Sequence, residues 1–178
     1  MSENGESTRE DPRSFRFMKH YSKRIPSPVG QLTLVASDDR LVAILWENDD
    51  PRRVPLNIVA EEPGHPMLVR AAQQLDAYFT GERTSFDLPL EFAGTDFQRK
   101  VWNALLEIPF GETRSYAQVA RAIGHPKAVR AVGAANGRNP LSIVAPCHRV
   151  VGTNGKLTGF AGGLAAKAQL LSLEAAPR

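Results

Sequence analysis

The chain has 178 residues, 42% of them hydrophobic, which is enough to bury one core or two small ones. No apolar run approaches the ~20 residues that a membrane span needs. Residues 1–14 are polar and acid-rich, with no apolar stretch to act as a signal peptide, so a disordered tail on a soluble protein of the reducing cytoplasm is expected. The net charge of +3 is unevenly divided. Residues 1–91 hold 11 Lys/Arg against 15 Asp/Glu, a net −4, whereas residues 92–178 hold 11 against 4, a net +7. The asymmetry fits a polyanion partner for the second half alone, or a solvated basic face without one.

The first half, expected as an α/β domain over residues 15–92, begins with strands. Residues 31–36 and 41–46 are apolar and partly β-branched, and residues 37–40 make a turn between them. Residues 17–25 add a third strand. Beyond Gly64 the period changes: Leu68, Ala71, Ala72, Leu75, Tyr78 and Phe79 fall on one helical face, and Gly81 stops the helix. Residues 87–92 are expected to form one more short strand. Asp49, Asp50, Glu61 and Glu62 are taken as solvated loop charges, and nothing in this half resembles a catalytic cluster.

The character changes at Ala93 and Gly94, so a second domain is expected over residues 93–178. Thr95 and Gln98 have the spacing of a capping box, and Phe97, Val101, Trp102 and Leu105 then line one helical face. A second capping box, Ser115 with Gln118, opens a short helix to Ile123. Gly124, His125 and Pro126 break it, and residues 127–136 continue as a third helix. Helix, tight turn and helix is the form of a helix-turn-helix, although two small antiparallel helices have the same pattern. The third helix is mostly Ala and Gly, with Arg130 its one long side chain in mid-helix. A major-groove reader presents several Arg, Asn or Gln side chains to base edges. Small side chains instead allow close approach, either to another helix or to a shallow groove read without sequence preference, with Arg130 inserted as a probe.

Further on, Val150-Val151 and Lys156-Leu157 flank Asn154-Gly155, a hairpin signal. Residues 158–163 form a glycine-rich loop without the Gly-Lys-Ser/Thr ending of a phosphate-binding loop, so nucleotide binding is not expected. Residues 164–174 make a final helix. Between these elements stands the only cysteine, Cys147. It has no internal disulfide partner and cannot hold zinc without distant help, which leaves packing or reactivity. Pro146 limits its backbone, while His148 and Arg149 offer a base and positive charge that favour the thiolate.

Taken in order, Ser115-Tyr116, residues 126–133, Gly137-Arg138-Asn139-Pro140, Pro146-Cys147-His148-Arg149-Val150, Gly159-Phe160-Ala161-Gly162-Gly163 and Glu174 resemble the O6-alkylguanine-DNA alkyltransferases, the methylated-DNA–protein-cysteine methyltransferases. The resemblance is close over residues 97–174 and looser before them, where strand-turn-strand-helix still agrees. It implies an α/β (α+β) fold: a small ribonuclease H-like N-terminal domain with a short antiparallel sheet, then a mostly helical, winged helix-turn-helix-like domain.

The implied function is direct reversal of DNA damage by a suicide acceptor. Cys147 takes the alkyl group from guanine O6, with O4-alkylthymine as a further candidate substrate. His148 removes the thiol proton through a water, and Glu174 orients the histidine, a nucleophile–base–orienter arrangement. Asn139 is the hinge that ties the DNA-binding helix to the cysteine segment. Tyr116 and Arg130 drive base flipping, which an O6 alkyl group buried in a duplex requires. By the same resemblance Lys127, Ala128, Ala131 and Arg138 contact DNA. On charge, Lys127, Arg130, Arg138 and Arg149 are expected to meet phosphates, so that affinity falls with salt. Asn136, Val150, Phe160, Ala161 and Gly162 form the base pocket. Taken alone, His148 is equally a core histidine, Glu174 a surface charge, and Asn139 a turn former before proline.

The implied partner is double-stranded DNA, bound through the minor groove by a monomer that clusters on it. No cofactor is implied. The structural zinc of some members is missing its ligands, since no cysteine precedes Cys147. One departure stands out: Phe160 replaces the tyrosine usual in the family, which donates a hydrogen bond to the leaving base. Its loss costs about 1.5–3 kcal/mol, or about one to two orders of magnitude in rate, unless Ser142, Thr158 or a backbone N–H substitutes. Three other readings compete. An alkyltransferase-like lesion binder would lack Cys147, a helix-turn-helix regulator would need base-reading side chains, and a cysteine hydrolase does not place its histidine next to the cysteine.

Overall fold

The computed structural model describes residues 14–177, so all of the expected tail except Ser14 lies outside the described residues. A single 3-10 turn, Ser14–Phe17, leads into the strands β1 (His20–Ile25), β2 (Leu32–Ala36) and β3 (Leu41–Trp46). These form the expected antiparallel meander, with Ile25 opposite Leu32 and Leu32 opposite Trp46. A fourth strand, β4 (Ile58–Glu61), was not foreseen; it adds to β1 in parallel, giving the order β3-β2-β1-β4. All four of its residues are exposed, so it carries no alternation of apolar and polar side chains for sequence reasoning to detect.

The strand expected over residues 87–92 does not form. Only an isolated bridge joins Leu90 to Leu41, through Leu41 N–H to Pro89 O (2.9 Å) and Glu91 N–H to Leu41 O (3.0 Å). Pro89 has no N–H with which to extend a ladder. The same edge of β3 receives the later half of the chain, where Ile44 N–H donates to Pro140 O (2.8 Å) beside an Ile44–Leu141 bridge. The helix α1 (Pro66–Phe79) covers the sheet with Met67, Leu68, Ala71, Leu75 and Tyr78, in a core that also takes in Leu141, Ile143, Ala145 and Leu170.

Both expected capping boxes are present. Thr95 and Gln98 open α2 (Asp96–Leu106), and Ser115 and Gln118 open α3 (Tyr116–Ala122), with a two-residue strand β5 (Arg114–Ser115) just before it. Next comes α4 (Val129–Gly137), which starts later than expected. Lys127 and Ala128 precede it, and Ala128 caps it with a non-helical backbone (ψ 34°). A second core forms between these helices from Val101, Trp102, Leu105, Val119, Val132, Ala135, Val150 and Cys147 itself.

The expected hairpin is also corrected. Gly155 takes φ 78° in a tight turn, and Gly152 N–H reaches Lys156 O (2.8 Å), but β6 (Val150–Val151) pairs in parallel with β5 rather than with Lys156 and Leu157. The last helix is α5 (Leu164–Ala175). No helix of the described residues is long and apolar enough to cross a membrane.

Candidate active site

Cys147 lies on the seam between the two cores, at the start of a single 3-10 turn, Cys147–Arg149, that Pro146 caps. The approach to it is unusual: Ile143, a β-branched residue, is held at φ 76°, in the left-handed region that such residues avoid. Asn139 holds this bend. Its Oδ1 accepts from Leu141 N–H (3.0 Å) and its Nδ2 donates to Ala145 O (2.8 Å), so one buried amide closes the loop ahead of the cysteine.

Arg53, between β3 and β4, braces Asn139 in turn by donating to its carbonyl at 2.7 Å, and Asp49 pairs with that guanidinium (Nε to Oδ1, 2.7 Å). The Asp49–Arg53 side chains are 9% and 11% exposed, so Asp49 is not the solvated loop charge expected, whereas Asp50 pairs with Arg52 on the surface. The reason is long-range: Arg53 is fixed by backbone 86 residues away.

Three side chains converge on Glu174 through four contacts, and α5 delivers the carboxylate to the same seam. Tyr78 Oη donates to Oε2 (2.6 Å), Arg149 Nε to Oε1 (2.7 Å), Arg149 Nη2 to Oε2 (3.1 Å), and His148 Nε2 lies 2.7 Å from Oε2. Burial alone would raise the Glu174 carboxyl, but the hydrogen bonds from His148, Arg149 and Tyr78 outweigh it and hold its pKa at about 2. An ionised carboxylate only accepts, so His148 carries its proton on Nε2. Burial also lowers the His148 pKa, against the pull of Glu174, and keeps the ring neutral. The remaining nitrogen, Nδ1, is then an unprotonated acceptor, and it is buried with no hydrogen-bond partner among the described residues.

Arg149 is therefore corrected as well: it is 6% exposed and bound to Glu174 and the Ile108 carbonyl, so it meets no phosphate. Burial raises the Cys147 thiol. The polar side chains of Asn139 and Ser142 and the charges of Arg53 and Lys167 act the other way. Lys167 was missed in the sequence, where Leu164-Ala165-Ala166-Lys167 looks like an ordinary helix start. It is fully buried, donates to Val150 O (2.6 Å) and Thr158 O (3.0 Å), and lies about equally near the rings of Tyr116 (6.0 Å) and Phe160 (5.9 Å).

The remaining candidate residues fall into two groups. Val150 and Asn136 are buried beside the cysteine, with Asn136 Nδ2 3.5 Å from Cys147 O. Phe160 stands edge-on to Trp46 (5.3 Å), and Gly162 lies so close to that indole that a Cβ would fall 2.6 Å from it, while Ala161 is exposed. Tyr116 is half-buried, and its hydroxyl accepts from Thr158 (3.0 Å). Lys127, Arg130, Ala131 and Arg138 are exposed along α4 and its ends, with Ala128 half-buried.

A lone buried thiol, a neutral base and a fixed carboxylate beside a cationic helix face have close counterparts. The family described as 6-O-methylguanine DNA methyltransferase, ribonuclease-like domain, matches residues 20–92, and its DNA binding domain matches residues 96–176. The chain belongs to the methylated-DNA–protein-cysteine methyltransferase family. A methyltransferase of this name from Mycobacterium tuberculosis is 50% identical over 159 residues, 88% of this chain and 93% of its own length. The constitutive one from Bacillus subtilis is 47% identical over 159 residues, 87% of this chain and 95% of its own.

Among solved structures, the M. tuberculosis O6-methylguanine methyltransferase matches with a TM-score of 0.79 at 48% identity, over 89% of this chain and 95% of that one. Its complex with DNA matches with a TM-score of 0.75 at 46% identity, over 88% and 92%. Within this methyltransferase, sequence reasoning missed Tyr78, Arg53, Asp49 and Lys167. Tyr78 and Arg53 act on segments 96 and 86 residues away, Asp49 serves by holding Arg53, and Lys167 reaches back 17 and 9 residues to Val150 and Thr158; only the need of a buried Tyr hydroxyl for a partner could have signalled one of them.

Proposed function

We propose that Cys147 captures, once per molecule, the alkyl group of O6-alkylguanine flipped out of double-stranded DNA. The coarser activity follows from family membership: the protein is a methylated-DNA–protein-cysteine methyltransferase that binds DNA and acts in direct-reversal repair. The observation that carries the finer reading is His148, whose Nε2 is fixed on an ionised Glu174 while its buried Nδ1 has no hydrogen-bond partner among the described residues.

The thiol proton passes to Nδ1, through a water in the manner the resemblance implies, and the imidazolium is stabilised by Glu174. The sulfur then attacks the alkyl carbon in line, an S–C bond forms as the C–O6 bond breaks, and the electron pair leaves with guanine, which takes up a proton. The thioether has no partner to displace it, so the protein is consumed.

Access requires the nucleotide to leave the stack. Arg130 fills the gap it leaves, and Tyr116, clamped by Thr158, crowds the neighbouring phosphate. The small residues of α4 suit a shallow minor groove read without sequence preference, bound by a monomer. A thiol that must stay reduced until used suits the cytoplasm.

The test is an intact-mass measurement after mixing equimolar protein with a duplex carrying O6-methylguanine. One methyl at Cys147, no second turnover, and no uptake by Cys147→Ala are expected. Binding without mass gain would make the protein a lesion binder, and repeated turnover would make it a hydrolase. Either result ends the proposal. A duplex carrying O4-methylthymine, run in parallel, defines the substrate range.

A further inference from the structure

One side chain of the N-terminal sheet reaches both the bend ahead of the cysteine and the glycine-rich loop. Trp46 ends β3 and is 6% exposed. Its backbone N–H donates to Asp49 Oδ2 (3.2 Å), the carboxylate that also holds Arg53, so its main chain is anchored. The indole Nε1–H donates to Ser142 Oγ (3.1 Å), one residue before Ile143 at its left-handed φ. The face of the same ring lies against Gly162, where a Cβ would fall 2.6 Å from the indole carbons Cδ2 and Cε2. No left-handed φ demands glycine at 162; the indole does. Phe160 meets the ring edge-on at 5.3 Å.

Of residues 158–163, Phe160 packs against both cores, the one that holds Trp46 and the one that holds Cys147. Its ring therefore stands between the indole and the surroundings of the cysteine. Three of these six residues are glycine, so the loop has a permissive backbone and takes its position from what it touches. We infer that Trp46 is a positioning residue that decides which O6-alkyl groups the site accepts, because its indole is the stop against which Gly162 and Phe160 rest. An apolar pocket sorts ligands by size only where its wall does not yield. The hydrogen bond to Ser142 keeps the ring from turning away, and the anchored end of β3 keeps it from retreating. The N-terminal sheet, which contributes no reacting group, thereby sets the width of the space beside the nucleophile. The inference rests on Cys147 capturing the alkyl group of a flipped guanine beside Phe160.

The test measures single-turnover uptake by the full chain, by intact mass, from duplexes carrying O6-methylguanine or O6-benzylguanine. The quantity read is the benzyl rate divided by the methyl rate. Losses of folding, DNA binding or thiol reactivity are shared by both duplexes and cancel in this ratio. Trp46→Leu removes most of the backing, so Phe160 can fall away from the cysteine, and the ratio is expected to rise by about tenfold. Ser142→Ala frees the indole N–H but leaves both rings in place, and should raise the ratio by less. Gly162→Ala should lower it in the parent, because the added methyl strikes the indole and drives the loop toward the cysteine. In the Trp46→Leu background the same methyl has room, and Gly162→Ala should scarcely alter the ratio.

A ratio unmoved in Trp46→Leu would overturn the inference. So would an equal drop on Gly162→Ala in both backgrounds, since side chains in contact are coupled and independent ones are not. Should Trp46→Leu fail to fold, Gly162→Ala in the parent decides alone, and an unmoved ratio again overturns the role of Trp46. A parent that takes up neither group defeats the functional reading instead.

Discussion

The outer face of α4 and the segment that follows it are built in opposite ways. Arg130, Ala131 and the flanking Lys127 and Arg138 are exposed, and no side chain of the described residues fixes them by a hydrogen bond. Residues 141–150 are buried without exception, and their polar side chains are tied to Trp46, Glu174 or Ile108. The first surface is open for a partner to organise. The second is organised before any partner arrives, which preorganised catalysis requires. Substitutions should therefore separate cleanly, with those on the helix face changing binding alone and those in the buried network changing fold and chemistry together.

The largest expected effect comes from Glu174→Gln, which leaves Arg149 charged and unpaired in the interior. Breaking a buried ion pair by removing one partner costs about 3–5 kcal/mol, to be read from denaturant unfolding. The pH dependence gives a second reading. The Glu174 pKa of about 2 lies below the ordinary carboxylate value, so its stabilisation is complete above that ordinary range and is lost as pH falls through about 2. Between about pH 4.5 and 2 the parent should lose stability more steeply than Glu174→Gln, which has no carboxyl to titrate there. Equal slopes would mean that the network is not what holds the carboxylate ionised.

Tyr78→Phe is the gentler probe of the same network, since the ring stays and only the hydroxyl to Glu174 goes. A hydrogen bond to a charged group contributes about 1.5–3 kcal/mol, so the melt should fall by less than for Glu174→Gln. With one donor fewer, Glu174 turns more of its charge toward His148. That makes the imidazole more basic, and the acid limb of the single-turnover rate should move to higher pH. An unchanged limb with a lowered melt would reduce Tyr78 to a packing role.

The contrast between the two regions also explains what was legible in the sequence. Capping at Thr95 and Ser115 is decided by side chains three residues apart, and both boxes form as expected. The Pro146–Val150 run and the basic second half were readable for the same reason: chemistry adjacent in sequence stayed adjacent in space. The buried network is assembled differently. Tyr78 meets Glu174 across 96 residues, and Trp46 meets Ser142 across the same separation, so no window along the chain contains either pair. Lys127 and Ala128 were assigned to the helix because their composition suits one, although the chain turns there before α4 begins. Arg149 was counted among the DNA-facing cations because charge alone cannot say whether a carboxylate waits inside the fold.

Phe160→Tyr tests the pocket wall between the two regions. Of the hydroxyls able to replace the missing tyrosine, Thr158 already donates to Tyr116, and Ser142 Oγ is held by the Trp46 N–H. Restoring the phenol should therefore raise the single-turnover rate by about one order of magnitude, at the lower end of what one hydrogen bond to developing charge supplies. No change would show that a backbone N–H already serves the leaving base.

The smallest effect is expected on the exposed side and concerns salt. Of the four cations counted as phosphate partners, Arg149 is spent on Glu174, which leaves Lys127, Arg130 and Arg138. Each phosphate neutralised contributes about 0.9 to the slope of log affinity against log salt. Lys127→Ala should flatten that slope by about this amount while unfolding within about 0.5 kcal/mol of the parent, since nothing in the fold leans on the side chain. If Lys127→Ala left the slope intact, the basic charge of the second half would have to act through other residues. If it destabilised the protein, the division between an open face and a closed interior would not hold at the point where α4 begins.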